Sequence, residues 1–219
     1  MKYLNTLTYL TLMTTLVLFT SCEEDGEGPD NAQADLEVQM AEDIPADPDV
    51  TRGPDGSTPP PSFTFFNLTD GEIVDKADSA STGWDIALAG TTILVNGGSS
   101  GPGEGAAQIV SGTFDEMTEA PEAGFQTDSE TGFAIPTGSG NGWYNYTGGD
   151  NPPAAVLPIP GRIIVLKTAD GNYAKMEILS YYEGNPDIST EEFANPQTRP
   201  AGRHYTFQYV VQPSGSREF

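Results

Sequence analysis

Apolar and polar residues alternate along much of the chain from residue 62 to its end, which is the pattern of strands that bury one face. In the last such segment, "HYTFQYVVQ", one face carries large apolar side chains, namely Tyr205, Phe207, Tyr209 and Val211. The opposite face carries polar side chains, namely His204, Thr206 and Gln208. This segment therefore predicts a strand with one face in the core and the other towards solvent.

Turn residues divide the rest of this region into short strand-like segments. "SFTFFNL" precedes the turn "TDGE", and "GWDIALAGTTILVN" has the length of one or two strands. "RIIVLKT" and "YAKMEILSYY" flank "ADGN", where Asp-Gly predicts the turn of a hairpin. No long amphipathic helix is predicted, and only "TFDEMTEA" suits a helical turn. The predicted fold class for residues 62–219 is all-β, a single antiparallel domain built as a curled sheet or a sandwich.

A glycine-rich segment, "ILVNGGSSGPGEGAAQIV", occupies residues 93–110. A Walker phosphate loop requires a Lys followed by Ser or Thr, and this segment contains no Lys. A dinucleotide fingerprint requires a helix after the glycines, whereas "AAQIVSGTF" is strand-like. The segment therefore predicts a strand that ends in a wide turn with several residues at positive φ.

The N-terminus has the features of an export signal. Lys2 precedes an apolar run at residues 7–19 that is too short to span a bilayer, and the small residues of "LFTSC" lead to Cys22. This arrangement predicts a signal peptide over residues 1–21 and a lipobox whose Cys22 becomes lipid-modified. Cys22 is the only cysteine and so has no disulfide partner. The alternative is an ordinary cleavage site beside an unpaired thiol.

Residues 22–61 differ in composition from the rest of the chain. They are rich in Asp and Glu, poor in large apolar side chains, and contain Arg52 as their only basic residue. Such a segment cannot bury enough apolar surface to offset the entropy lost on ordering. We therefore expect an acidic disordered tether that ends in the spacer "GSTPPP", with "DLEVQM" at residues 35–40 as its one candidate for a helical turn.

The formal net charge of −23 limits the partners of the chain. Such a surface repels nucleic acid, so a nucleic-acid partner is excluded, and it also repels anionic lipid headgroups. The predicted membrane attachment is the lipid on Cys22. The acidic stretch "CEEDGEG" after this cysteine favours the outer face of the outer membrane, and the predicted location is a lipid-anchored, surface-exposed one.

Four segments, in order, resemble the pattern of HmuY-like haem-binding lipoproteins: "GWDIAL", "ILVNGGSSGPGEGAA", "VLKTADGNYAKMEILSYY" and "YTFQYV". The resemblance covers residues 63–211, and the lipobox and acidic tether match the export route of that family. It implies an all-β fold and a haemophore-type role. Such proteins capture haem outside the cell and pass it to a TonB-dependent transporter of the outer membrane.

The resemblance also implies two axial haem ligands, His or Met, on loops at one end of the sheet. One ligand position, after the strand in "GWYNYTGGD", corresponds to Gly148, which cannot coordinate iron. The other lies in a hairpin that "DSETGFAIPTGSGN" is too short to contain. The ligand pair of the family is therefore not retained.

Other side chains are weighed as substitutes, although each also suits ordinary packing. The candidate ligand-binding residues are Met117, Trp143, Tyr144 and Tyr146, with His204 as a weak metal-ligand candidate. Tyr144 and Tyr146 alternate with Trp143 and Asn145, which predicts that one of these pairs faces inward and leaves the other free to stack on a ligand. Met176 shares a predicted strand face with apolar residues and is assigned to the core.

No catalytic constellation accompanies these residues. The chain has no Ser elbow, no HExxH motif and only one histidine, so an enzyme is not expected. Two functions remain open. The first is a haemophore-type lipoprotein that binds haem or a related tetrapyrrole. The second is a surface lipoprotein of the same fold that binds a protein or a glycan.

Overall fold

The largest sheet of the protein has five antiparallel strands. The computed structural model describes residues 36–51 and 53–219, and the strand order in this sheet is β1-β11-β10-β9-β6. The strands are β1 (Gln39–Pro45), β6 (Ala106–Ser111), β9 (Arg162–Lys167), β10 (Tyr173–Tyr182) and β11 (Gly202–Gln212). The predicted hairpin around "ADGN" is confirmed, because β9 and β10 pair antiparallel across that turn.

A second sheet has four antiparallel strands in the order β3-β2-β4-β5. They are β2 (Thr64–Asn67), β3 (Glu72–Val74), β4 (Ile86–Ala89) and β5 (Thr92–Val95). A separate hairpin joins β7 (Tyr144–Tyr146) to β8 (Val156–Pro158). "GWDIALAGTTILVN" thus contains two strands, β4 and β5.

Helical structure is sparse in the described part of the chain. It consists of a 3₁₀ turn at Lys76–Asp78 and α1 (Glu191–Ala194), neither of which was predicted. "TFDEMTEA" forms one turn, in which the Met117 amide donates to the Thr113 carbonyl, and continues no further. None of the helices that the structure describes is long and apolar enough to cross a membrane.

The main core lies between the two sheets. Phe66 of β2 contacts Phe207 and Tyr209 of β11, with ring centroids 5.5 and 6.2 Å apart. Ile86 and Leu88 of β4 belong to the same buried cluster. Two facing sheets that share one core correspond to the sandwich alternative of the predicted all-β fold.

A smaller cluster covers the outer face of the five-stranded sheet. Ile163 and Val165 of β9 lie in it, whereas Ile164 and Leu166 lie in the main core, as expected for side chains that alternate along a strand. β11 follows its prediction on one face, since Tyr205, Phe207, Tyr209 and Val211 lie in the main core. The opposite face was predicted to meet solvent, and this is wrong, because Thr206 is buried and Val210 packs in the smaller cluster.

The folded domain begins earlier than residue 62, so the predicted tether over residues 22–61 is wrong for β1. This strand pairs with β11 from Gln39↔Tyr209 to Pro45↔His204, and "DLEVQM" leads into it rather than forming a helical turn. Ala41 and Ile44 are buried. A register shift separates them, with Asp43 at φ 52, so that the buried positions fall three residues apart and the period-2 signal is lost.

The rest of the tether prediction has a different outcome on each side of β1. Residues 53–61 form no strand or helix and are almost entirely exposed. Residues 22–35, Cys22 included, lie outside the described part of the chain, as does the predicted signal peptide.

The glycine-rich segment is a wide turn between β5 and β6, as predicted. Several residues at positive φ were expected there, but the glycines are required for a different reason. Between residues 97 and 105 only Gly98 has positive φ, at 62°. A Cβ on Gly97 would lie 2.0 Å from the Gly105 carbonyl oxygen, and one on Gly101 would lie 2.0 Å from Oδ1 of Asn96. The glycines are needed because the chain passes very close to itself.

Asn96 is the centre of this turn and is fully buried. Its Nδ2 donates to the carbonyls of Ser81 and Trp84, at 2.9 and 2.7 Å, and its Oδ1 accepts from the Gly103 amide. One buried side chain thus holds the glycine-rich turn against the segment that leads into β4.

Candidate ligand-binding site

Trp143 and Tyr144 are both part of the main core. The Trp143 indole donates to the Thr91 carbonyl at 3.1 Å, and the Tyr144 hydroxyl oxygen accepts from Thr91 Oγ1 at 3.2 Å. Their exposed fractions are 1% and 8%. The predicted alternation is therefore wrong here, because two consecutive aromatic residues point inward while Asn145 and Tyr146 are exposed.

Tyr146 is the one exposed member of the predicted set, with 52% of its surface accessible. Its backbone amide donates to Ser139 Oγ at 2.8 Å, which fixes β7 beside the preceding loop. Gly148 follows with φ 59, its carbonyl accepts from the Ala154 amide at 2.7 Å, and a Cβ there would meet no atom within 4 Å. The family ligand position is thus on an open turn of the β7–β8 hairpin.

Met117 and His204 lie elsewhere. Met117 packs against the smaller cluster, so the five-stranded sheet separates it from Trp143 in the main core. His204 on β11 is half-buried, and its Nδ1 lies 3.0 Å from the Gly202 carbonyl oxygen. Met176 is fully buried in the main core, as predicted. The structure does not bring the candidates together around one point.

A cleft of about 510 Å³ opens where the ends of β10 and β11 meet the β7–β8 hairpin. The cleft is shallow and widely open to solvent. We call it the tyrosine–arginine cleft, lined by Pro48, Ala154, Val156, Tyr181, Tyr182, Pro196, Arg199, Pro200, Ala201, Gly202 and Arg203. Tyr146 is the cross-strand partner of Val156, so it lies on the hairpin that forms one wall.

An irregularity in the β10–β11 pairing builds the floor of the cleft. The register shifts between Ile178 and Ser180 and again between Ser180 and Tyr182. Ser180 Oγ accepts from the Tyr182 amide at 2.9 Å and donates to the Tyr182 carbonyl at 3.1 Å. As a result Tyr181 and Tyr182 are both buried, although neighbours on a regular strand point to opposite faces.

Backbone strain is concentrated around the same cleft. Among the described residues, five other than glycine have positive φ, and two of them, Ala154 at 51° and Arg203 at 66°, line the cleft. A third, Asp47 at 58°, accepts a hydrogen bond from Arg203 through its carbonyl. Such conformations cost of order 1–3 kcal/mol each and cluster at functional sites.

Arg199 closes one side of the cleft and is held by backbone carbonyls. Its Nε donates to Phe193 at 2.8 Å, Nη1 to Ala154 at 2.9 Å and Nη2 to Pro153 at 2.7 Å. Its guanidinium carbon also lies 4.8 Å from the Phe193 ring centroid and 5.7 Å from that of Tyr182. Arg199 therefore ties the β7–β8 hairpin to the segment before β11.

Arg203 has more of its donors free. Nη1 donates to the Asp47 carbonyl at 2.7 Å, while the nearest Asp47 carboxylate oxygen is 4.0 Å away, beyond hydrogen-bond distance. Its side chain is 35% exposed. The N–H groups of the guanidinium that face neither Asp47 nor the Tyr181 side chain are available to a ligand.

The two tyrosines add hydroxyl donors to the floor. Burial raises the pKa of Tyr181 to about 12, although the nearby Arg203 guanidinium opposes this, so its phenol stays protonated at neutral pH. The Tyr182 hydroxyl oxygen accepts from the Val156 amide at 2.9 Å, which leaves its own proton free to be donated. Behind them, the Trp143 ring lies 5.9 Å from the Tyr181 ring.

The polar side chains of the cleft are therefore all hydrogen-bond donors. None of its lining residues is acidic, in a chain with 32 acidic residues. Such a site suits a flat, apolar ligand with anionic groups. Nowhere in residues 36–51 and 53–219 do three or more His, Cys, Asp or Glu side chains converge as a metal site.

The sequence contains two weak signals for this cleft. "YY" at the end of a predicted strand breaks the alternation, which indicates a bulge. Arg199 and Arg203 are two of only nine basic residues and lie four positions apart. Neither signal by itself indicates that the two pairs meet.

Three solved structures are similar to the chain at low sequence identity. A protein of Bacteroides vulgatus described as HmuY-like and haem-binding is 17% identical, with a TM-score of 0.46, and the match covers 79% of this chain and 91% of that one. Apo PinO from Porphyromonas gingivitis is 14% identical, with a TM-score of 0.47, and the match covers 81% of this chain and 99% of that one. The apo HmuY analogue of Tannerella forsythia is 16% identical, with a TM-score of 0.41, and the match covers 82% of this chain and 96% of that one.

Among curated proteins, none matches the chain. The family model described as "HmuY protein" matches residues 60–194. This stretch is more than half of the chain and includes the β7–β8 hairpin, the floor of the cleft and α1. The chain therefore belongs to the HmuY family.

Proposed function

We propose that this protein is a lipid-anchored surface protein that binds haem or a related tetrapyrrole and delivers it to a TonB-dependent transporter of the outer membrane. The observation that carries the proposal is the family match over residues 60–194, which includes the β7–β8 hairpin and the two tyrosines of the cleft floor. The arginine side of the cleft lies beyond the matched residues. The lipobox sequence around Cys22 supports the anchored location. The protein acts as a binding and transfer protein rather than a catalyst.

The residues present fit a tetrapyrrole in part. The cleft supplies an aromatic floor and donors for acidic groups, while the His or Met pair of the family is missing. Among the predicted candidates, Tyr146 is the exposed one, on the strand that pairs with Val156 of the cleft lining, and tyrosine is an established type of haem ligand. We assign Tyr146 as the candidate axial ligand, because Trp143 and Tyr144 are committed to the core and Met117 packs on the other side of the sheet. A bound haem would supply the iron chemistry itself.

Titration of the purified protein with haem, followed by its absorption spectrum, tests this function. A Soret shift is expected, without the low-spin spectrum of two axial histidines, because the chain has one histidine. Tyr146→Phe should weaken binding and alter the spectrum, since it removes the phenol oxygen. His204→Ala is the matched control and should change neither, because His204 is part-buried on β11 with its Nδ1 3.0 Å from the Gly202 carbonyl oxygen, whereas Tyr146 is exposed on the hairpin beside the cleft.

The second candidate function is a protein- or glycan-binding lipoprotein on the same fold. It is favoured by one observation, which is that the predicted stacking residues Trp143 and Tyr144 are buried and hydrogen-bonded, so neither can stack on a porphyrin. Absence of any Soret shift in the native protein would exclude the haem function and leave this alternative.

A further inference from the structure

We infer that the tyrosine–arginine cleft recognises the carboxylate groups of its ligand, with Arg203 as the residue that binds them. The inference rests on the proposed function and deepens it, because it assigns a specific contact to the acidic edge of a tetrapyrrole. It concerns residues on β11, outside the loops in which the family resemblance places axial ligands.

The first argument is the chemistry of the lining. Its polar side chains are two guanidinium groups and two phenols, which offer donors, and none of the lining residues is a carboxylate. In a chain of net charge −23, most of the surface repels an anion. The lining of the cleft contains no carboxylate, and the acidic group nearest to Arg203 is Asp47, whose carboxylate oxygen lies 4.0 Å away.

The second argument is that the two arginines are not equivalent. Arg199 donates to three carbonyls and stacks on Phe193, which makes it a structural link between the hairpin and α1. Arg203 donates to one backbone carbonyl, that of Asp47, lies 4.0 Å from the Asp47 carboxylate and beside the Tyr181 side chain, and is partly exposed. A guanidinium with free N–H groups can bind a carboxylate in a bidentate manner.

The third argument is the backbone that presents Arg203. Its φ of 66° is rare for a residue other than glycine, and it follows the double register shift between β10 and β11. The register shifts and the left-handed conformation of Arg203 lie at the cleft, which Tyr181, Tyr182 and Arg203 all line. Strained residues that persist next to a bulge are typical of binding sites.

A titration with three porphyrins tests the inference. Haem, iron-free protoporphyrin and the dimethyl ester of protoporphyrin are added to the full protein in one detergent buffer, and the fluorescence of its two tryptophans, Trp84 and Trp143, is measured. Trp143 lies behind Tyr181, with rings 5.9 Å apart, so a ligand in the cleft should quench it. The ester has the same apolar body as protoporphyrin but no carboxylate.

Arg203→Gln should weaken haem and iron-free protoporphyrin alike, by about tenfold, because the lost contact is with the carboxylates and not with the metal. Arg203→Lys should restore part of the affinity, since lysine keeps the positive charge but cannot bind a carboxylate in the bidentate manner of a guanidinium. Arg217→Gln is the control and should have no effect, because Arg217 pairs with Glu119 and Glu122 and does not line the cleft. The ester should bind the native protein about tenfold more weakly than protoporphyrin.

Three results would contradict the inference, and they are distinguishable. If haem binds but neither Arg203→Gln nor esterification weakens binding, the carboxylate contact is wrong and the haem function stands. If no porphyrin binds the native protein, the proposed function and the inference both fail. If Arg203→Gln loses its near-UV circular dichroism, the comparison of ester with acid on the native protein decides, and equal affinities would overturn the inference.

Discussion

Asp85 shows how a single buried carboxylate connects separate parts of this fold. Its Oδ2 accepts from the Leu68 amide and its Oδ1 from the Ala169 amide, both at 2.8 Å. Leu68 follows β2, and Ala169 lies in the turn between β9 and β10. Asp85 therefore links the two sheets, and its exposed fraction is 6%. Burial raises the pKa of this carboxyl, and the two amide donors only partly oppose the shift.

Replacing Asp85 with Ala should destabilise the protein by about 2–4 kcal/mol, because two buried amides lose their acceptor. Chemical denaturation monitored by circular dichroism measures this. Asp170→Ala, which removes an exposed carboxylate from the same turn, serves as the control. It should change the free energy of unfolding by less than about 0.5 kcal/mol.

The raised pKa of Asp85 also predicts the pH dependence of this difference. The folded state binds the proton more tightly than the unfolded state, so the contribution of Asp85 to stability falls as pH rises through the window between the two pKa values. The destabilisation by Asp85→Ala should therefore grow as the pH is lowered from 7 towards 4. A difference that shrinks on acidification would contradict the raised pKa.

At the scale of elements, β1 is the strand that the acidic composition concealed. Ile44 is buried against the main core, whereas Met40 on the same strand is 51% exposed. Ile44→Ala should destabilise the protein by about 2 kcal/mol, and Met40→Ala should cost less than about 0.5 kcal/mol. Thermal unfolding of the two variants compares them. Equal effects would mean that β1 does not hold residues 39–45 in the sheet.

Limited proteolysis provides a second check on β1. Because this strand pairs with β11, the peptide that contains it should stay bound to the domain even if protease cuts within the exposed residues 53–61. A folded fragment that begins after residue 46 and is recovered without the β1 peptide would contradict the assignment of β1 to the domain.

The glycine-rich turn allows a matched pair of substitutions. A Cβ on Gly105 would lie 2.5 Å from the Asn96 carbonyl oxygen, whereas one on Gly132 would meet nothing within 4 Å. Gly105→Ala should cost about 1–3 kcal/mol, since backbone must shift to admit the methyl group. Gly132→Ala should be neutral or slightly stabilising, because it only reduces the freedom of the unfolded chain. Denaturant midpoints of both variants measure the contrast.

At the scale of the whole molecule, the lipobox predicts where the protein is found. Cys22 is the only cysteine, and the remaining surface is strongly acidic, so acylation is the expected means of membrane attachment. Cys22→Ser should release the protein from the membrane fraction into the soluble fraction. Cell fractionation with immunodetection measures this, and a variant that still sediments with the outer membrane would contradict the lipobox.

The alternation of apolar and polar residues predicted much of the fold. The core-facing side of β11, the β9–β10 hairpin, the strands β4 and β5 and the core position of Met176 all follow from it. These features are local, because a pleated strand repeats its orientation every two residues and an Asp-Gly turn needs no distant partner. The predicted class, an antiparallel all-β domain, depends only on such local patterns.

The candidate site could be predicted only in part. Tyr146 is exposed as a ligand requires, whereas Trp143 and Tyr144 are buried because Thr91, distant in sequence, provides partners for both. Similarly, β1 was missed because its bulge places the buried residues three positions apart. In each case the deciding contact is with a residue far away along the chain.

The sequence by itself determined the all-β class, the faces of its regular strands and the family to which the chain belongs. Only the tertiary structure decided that Tyr181, Tyr182, Arg199 and Arg203 form one cleft with Ala154 and Pro48. The physical reason is that the cleft depends on two register shifts and on left-handed residues, where the chain departs from strand periodicity. Its walls come from segments more than 100 residues apart (Pro48 and Ala154), which no local pattern connects.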